Sequence, residues 1–221
     1  MKRRELITLS AKSLGGLLVY SLAGDPIRVR GNEGTVEVPL RFFTAAEARI
    51  ILAACDRIFP SDENGPGAKE AGVVIYIDRQ LAGPYGRDRY RYTKGPFVES
   101  VLEHGYQGKA NPQEIYREGI GGLGGDFADL APLAQNERLR GIETSGFFRM
   151  LRTHTIQGMF SDPMHGGNAN LIGWQLVGYP GPLMSYRDEI GKFSGQPFSR
   201  APMSLEQVIG RPVRGWEEEK G

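Results

Sequence analysis

The chain has 221 residues, enough for one domain with a sizeable core, and its 27 basic and 26 acidic residues leave a formal net charge of +1. That balance argues against a nucleic-acid-binding protein, which shows a basic excess on one face. Cys55 is the single cysteine, so neither an internal disulfide nor a cysteine-based zinc site can form, and 31 glycines with 14 prolines imply much irregular backbone.

Residues 1–23 read as an export signal. Lys2, Arg3 and Arg4 lead to an apolar stretch from Leu14 to Leu22, and Ser21 and Ala23 are small residues three and one positions before a cut at Gly24. The uncharged run from Ser13 to Gly24 is shorter than the roughly 20 apolar residues that cross a bilayer. Arg3 and Arg4, followed by Glu5, Leu6 and Ile7, resemble a twin-arginine signal, although Lys2 stands where Ser or Thr is usual. The competing reading is an amphipathic helix on a cytosolic protein. Twin-arginine export carries folded proteins, so this route implies a cofactor in the chain or a partner that holds one.

Residues 24–40 read as a linker with one extended segment, Thr35-Val36-Glu37-Val38. A helix then begins with Thr44 as N-cap and Glu47 completing a capping box. Ile50, Ile51, Cys55, Ile58 and Phe59 follow at helical spacing, and Pro60 ends the run. Cys55 lies on that apolar stripe, which makes it a small buried hydrophobe; a reactive or partner-linked thiol is the alternative. After the loop SDENGPGAKEAG, residues Val73, Val74, Ile77 and Leu81 mark a second helix. In residues 83–97, GPYGRDRYRYTKGPF, an extended chain turns Arg87, Arg89 and Arg91 to one side and Tyr90 and Tyr92 to the other. Single-stranded nucleic-acid sites use such mixtures, but the charge balance and the export signal favour tyrosines laid on apolar surface and arginines facing water or a partner.

Further helices are predicted at PFVESVLEHGYQ (96–107), NPQEIYREGI (111–120) and ERLRGIETSGFFRMLRTHTIQGMF (137–160), the last with Ile142, Phe147, Phe148, Met150, Leu151, Thr155 and Met159 in register. The expected fold class is mostly α. An irregular helical domain spans 41–190 with long Gly/Pro-rich loops, and an extended C-terminal arm at 191–221 is too poor in apolar residues to fold alone.

GIGGLG at Gly119 to Gly124 matches a dinucleotide fingerprint, but helix rather than strand precedes it, so it reads as a Gly-rich helix end. The histidines are His104, His154 and His165. A metal site could combine His154, Asp162 and His165, yet the spacing is not that of a paired-histidine motif. His154, between Leu151 and Thr155, reads instead as a hydrogen-bonded, partly buried residue. No nucleophile elbow, acid pair or Cys-His-Asn set is present, so no catalytic residue is assigned. MHGGNANLIGWQLVGYPGP (164–182) is a rigid loop with Asn168 and Asn170 bonding local backbone and Trp174 as a large anchor. His165, Gly166, Gly167, Asn168, Trp174 and Tyr179 are candidate partner-interface residues. A loop tucked over its own core by Trp174 fits equally.

The stretches FFTAAEARILAACDRIFPSDENGPGAKEAGVVIYIDRQL and GFFRMLRTHTIQGMFSDPMHGGNANLIGWQLVGYPGP, with the paired arginines, resemble the small (gamma) subunit of membrane-bound gluconate 2-dehydrogenase. Similar subunits belong to fructose and FAD-dependent glucose dehydrogenases. The likeness runs from about Arg41 to Pro182; the glycines at 119–125 and the tail after Pro182 fall outside its pattern. It implies a non-catalytic subunit, without cofactor or metal of its own. A large glucose-methanol-choline-type flavoprotein would hold FAD and oxidise a sugar or sugar acid, and a multihaem cytochrome c would carry electrons to the quinone pool. The small subunit would support folding of the flavoprotein and its passage through the twin-arginine translocase to the periplasmic face of the inner membrane. The alternative is a free-standing periplasmic metal-dependent enzyme using His154, Asp162 and His165.

Overall fold

The computed structural model describes residues 26–31, 34–92, 94–97, 101–106, 108–183, 185, 187, 189–192, 195 and 200–210. The export-signal reading, with Arg3 and Arg4, and the end of the arm at 211–221 lie outside them. The chain is mostly α, as expected, but residues 26–39 form more than a linker. Strands β1 (Pro26–Gly31) and β2 (Gly34–Pro39) make an antiparallel hairpin in which Ile27 faces Val38 and Val29 faces Val36. Ile27 and Val29 carry the same two-residue alternation as Val36 and Val38, a pairing signal beyond the single extended segment read from the sequence.

Helix α1 (Ala45–Ile58) begins where the sequence places it. Thr44 Oγ1 accepts from the Glu47 amide at 3.3 Å, and Glu47 Oε2 accepts from the Thr44 amide at 2.8 Å. Its inner face buries Ala48, Ile51, Ala54 and Cys55. Helix α2 (Val73–Ala82) is buried at every residue from Val73 to Asp78 and again at Leu81. A helix apolar on nearly all sides belongs at the centre of a fold, and α2 lies between α1 and α5 (Gly146–Phe160). Fully burying a side chain such as Ile77 or Leu81 contributes about 1.5–3 kcal/mol. Helix α3 (Pro112–Leu123) has its own capping box, Asn111 with Glu114, and packs on α1 and α5. Gly119, Gly121 and Gly122 are helical and Gly124 caps the end, so GIGGLG offers no phosphate cradle.

The long helix expected over 137–160 is two. Helix α4 (Pro132–Arg140) stops at Gly141, and α5 restarts after Ser145, whose Oγ accepts from the Phe148 amide at 3.0 Å. A local cap competes with continuous helix at Gly141-Ile142-Glu143-Thr144-Ser145, residues of low helix propensity apart from Glu143, and the cap wins. α5 then buries Phe147, Leu151, His154, Thr155, Gly158 and Met159. Of the helix expected over 96–107, the described residues carry one 3₁₀ turn, Leu102–His104.

Two other expectations are corrected. Residues 84–91 are successive turns (Asp88 amide to Tyr85 carbonyl, 3.0 Å; Arg91 amide to Asp88 carbonyl, 3.1 Å), so strand alternation does not apply. Tyr90 and Tyr92 therefore stand 83% and 80% exposed instead of lying on apolar surface. Arg91 turns inward, to Asp88 Oδ2 at 2.6 Å and the Gly108 carbonyl at 2.9 Å. The arm does not stay extended either. Residues 200–210 return to the helical domain: the Met203 amide bonds the Pro180 carbonyl at 3.2 Å and its side chain is buried. Ser204 and Gln207 form a capping box on the short α7 (Leu205–Ile209). Among the described residues no helix is long and apolar enough to cross a membrane.

Candidate functional site

Two constellations bear on function: the polar interior around His154 and the loop that leaves α5. His154 projects from α5 into the core with only 4% exposure. Its Nδ1 is 2.8 Å from the Tyr116 hydroxyl on α3, and its Nε2 is 2.9 Å from the Tyr85 hydroxyl in the turn after α2. Tyr116 is fully buried, and its hydroxyl proton needs an acceptor. Nδ1 must therefore be the bare nitrogen that accepts it, while Nε2–H donates to Tyr85, whose own hydroxyl proton can turn towards solvent. Burial pushes the imidazole down to about 4, so it is uncharged at neutral pH. A base that weak is far from the poise that general acid–base catalysis near pH 7 requires.

Cys55 lies beside this network. Its Sγ is 3.3 Å from Thr155 Oγ1, and burial drives the thiol up to about 12. Nucleophilic and redox reactivity belongs to the thiolate, so Cys55 packs as a small hydrophobe, as its place on the apolar stripe suggested.

Asp78 was missed from the sequence. It is 1% exposed, and its carboxylate accepts three backbone amides: Arg41 at 2.7 Å, Phe42 at 2.9 Å and Phe43 at 2.9 Å. It thereby ties the entry to α1 onto α2. The signal available was an acid set inside VVIYIDRQLA, which is apolar at nearly every other position.

The loop over 161–182 is built on its own backbone. Asn168 is fully buried; its Nδ2 donates to the Ser161 carbonyl at 2.9 Å and its Oδ1 accepts from the Gly173 amide at 2.8 Å. That one side chain clamps the two ends of the excursion. Asn168, Asn170 and Leu171 all take positive φ, 49°, 57° and 60°. For leucine this costs energy that the surrounding bonds must offset. The short α6 (Ile172–Val177) then sets Trp174 against α5, its Nε1–H donating to the Phe160 carbonyl at 2.7 Å and its ring edge-on to Tyr179 at 5.0 Å. Gly173 fits where it does because a β-carbon there would lie 1.9 Å from the Met159 carbonyl oxygen.

The six residues singled out in this loop therefore divide. Gly167, Asn168 and Trp174 are buried and shape the loop, Gly166 is half-buried, and His165 and Tyr179 reach the surface beside exposed Met164 and Val177. His154, Asp162 and His165 do not assemble: Asp162 Oδ1 accepts from the Met164 amide at 3.1 Å and Oδ2 from the Leu205 amide at 2.7 Å, while both His154 nitrogens face tyrosines. Among the described residues no group of three histidine, cysteine or acidic side chains is placed to hold a metal ion.

Neither the curated proteins nor the solved structures yield a significant match to this chain. A family model does: the one described as gluconate 2-dehydrogenase subunit 3 matches residues 45–181, from the first residue of α1 to the glycine that closes the loop around Trp174. A match over more than half the chain, spanning the whole helical core, makes this protein a member of the gluconate 2-dehydrogenase subunit 3 family.

Proposed function

We propose that the chain is the non-catalytic small subunit of an exported FAD-dependent sugar or sugar-acid dehydrogenase. In this reading the FAD sits in a large glucose-methanol-choline-type flavoprotein and a multihaem cytochrome c completes the complex. The small subunit aids folding of the flavoprotein and carries it through the twin-arginine translocase to the periplasmic side of the inner membrane. Family membership supports the subunit role. The observation that carries the non-catalytic part is the neutral, doubly bonded state of His154 together with the raised thiol of Cys55. Of the residues weighed for chemistry, His154 and Cys55 are spent on the core. His165 and Tyr179, with Met164 and Val177, are the contact candidates on the loop, and Gly166, Gly167, Asn168 and Trp174 hold it in shape. The metal-dependent alternative has no observation in its favour.

The test is export. Replacing Arg3 and Arg4 together by lysine should leave both this chain and the flavoprotein in the cytoplasm, as followed by fractionation and by dehydrogenase activity in the periplasm. Full periplasmic activity in the double variant would overturn the co-export role.

A further inference from the structure

Residues 83–111 join α2 to α3 with one 3₁₀ turn among those described, where helix–helix connections usually take about 2–8 residues. The loop is closed at its base. The Gln113 amide donates to the Gly86 carbonyl at 3.1 Å, and the Tyr85 hydroxyl is held by His154. Arg91 joins the two legs: besides Asp88 and the Gly108 carbonyl, its guanidinium lies over the Tyr106 ring, 5.1 Å from the centroid. Tyr106 in turn lies across Gly108, where a β-carbon would stand 2.3 Å from the tyrosine hydroxyl.

On this fixed base the loop carries side chains that water does not favour. Tyr90 and Tyr92 stand almost clear of the protein, and Phe97, Val101 and Tyr106 are exposed as well. Exposed cations accompany them: Arg87, Arg89, Lys94 and Lys109. Of the loop's described acids, Asp88 is taken by Arg91 and only Glu103 is exposed. In a chain of net charge +1 this is a local excess of positive charge.

Tyrosine and arginine also favour protein interfaces, but an interface hot spot is a packed anchor ringed by contacts that exclude water. Tyr90 and Tyr92 project from successive turns with no such floor beneath them. A lipid headgroup layer needs no matching shape. It takes tyrosine rings at its polar boundary and sets cations against its phosphates.

We propose that this loop docks on an anionic phospholipid surface. Tyr90 and Tyr92 seat among the headgroups, and Arg87, Arg89 and Lys94 face the lipid phosphates. The contact is peripheral: the loop lies on the bilayer and does not span it. It does not rest on the subunit reading above.

The experiment takes the full chain with vesicles of phosphatidylglycerol and phosphatidylethanolamine, and with phosphatidylcholine vesicles as the control without net charge. Residues 1–23 are basic and then apolar and can bind such vesicles themselves, so sedimentation alone does not decide. Hydrogen exchange, read peptide by peptide, does. Anionic vesicles should slow exchange over residues 84–110, phosphatidylcholine should not, and about 1 M salt should remove the effect. In Tyr90→Ser with Tyr92→Ser, and separately in Arg87→Gln with Arg89→Gln, the lipid concentration for half-protection should rise about tenfold or more. All four positions are exposed, so neither pair of changes removes core packing. Protection unchanged in either double variant would overturn the proposal. So would equal protection by phosphatidylcholine, or exchange at 84–110 that anionic vesicles leave untouched. If vesicles protect nothing there while the tyrosine variant loses affinity for the flavoprotein, the loop is a protein contact and the lipid assignment is wrong. Each of these failures leaves the subunit reading standing.

Discussion

The Tyr85–His154–Tyr116 arrangement makes stability depend on pH in a way that can be worked out. Burial holds His154 at about 4 when folded, against 6.5 for the free imidazole. The unfolded chain therefore takes up a proton that the folded chain refuses. The contribution is fully present above pH 6.5, is lost as pH falls towards 4, and is exhausted below that. Between pH 7.5 and pH 5.0 the loss is about 2 kcal/mol, or roughly 4–8 °C in the midpoint of a domain of this size. Carboxylates also titrate in acid, so the comparison needs a partner protein without the imidazole. His154→Gln cannot charge, so thermal unfolding of both proteins by circular dichroism at the two pH values isolates the term. The wild-type midpoint should fall further than that of the variant by this amount. Parallel falls would mean that His154 is hydrated or charged in the folded chain and that the buried network is wrongly described.

Two further outcomes follow from local geometry. Asp78→Asn leaves one carboxamide oxygen for three amides and turns an NH₂ towards donors, so unfolding should become easier by about 2 kcal/mol or more; an unchanged midpoint would mean that the entry to α1 is not tied to α2. Gly173→Ala drives a methyl against backbone at Met159, 1.9 Å from its oxygen, which cannot swing away as a side chain could. A loss of about 3 kcal/mol or more is expected, and wild-type stability would show that the loop does not sit on α5 as described.

The helical core was readable because its signals are local. Thr44 and Glu47 give a capping box, and Ala48, Ile51, Ala54 and Cys55 keep the period that brings them inside. Asn111 and Pro112 start α3 in the same manner. Where the sequence misled, a competing local interaction or a distant partner decided. The break between α4 and α5 hangs on one serine cap, and the outward tyrosines hang on turn bonds that abolish strand alternation. The return of residues 200–210 depends on Asp162, 43 positions before Leu205. Such a contact leaves no periodic trace. In the loop at 164–182, the role of Asn168 in bonding local backbone is seen directly. Trp174 faces α5, the tucked alternative of the two readings, because its indole proton finds the Phe160 carbonyl. Asp78 stood unremarked because the amides that satisfy it lie 35 to 37 positions earlier in the chain.

The central claim is that this chain works as a non-catalytic subunit of a flavin-dependent dehydrogenase. The most direct measurement is purification of the chain from its own cells without denaturant, followed by native mass spectrometry, flavin absorbance and dehydrogenase assay of each species. The account predicts that the chain travels with a larger flavoprotein, that flavin and turnover stay with that partner after separation, and that the isolated chain has neither. A chain that purifies alone and turns over substrate by itself would contradict it.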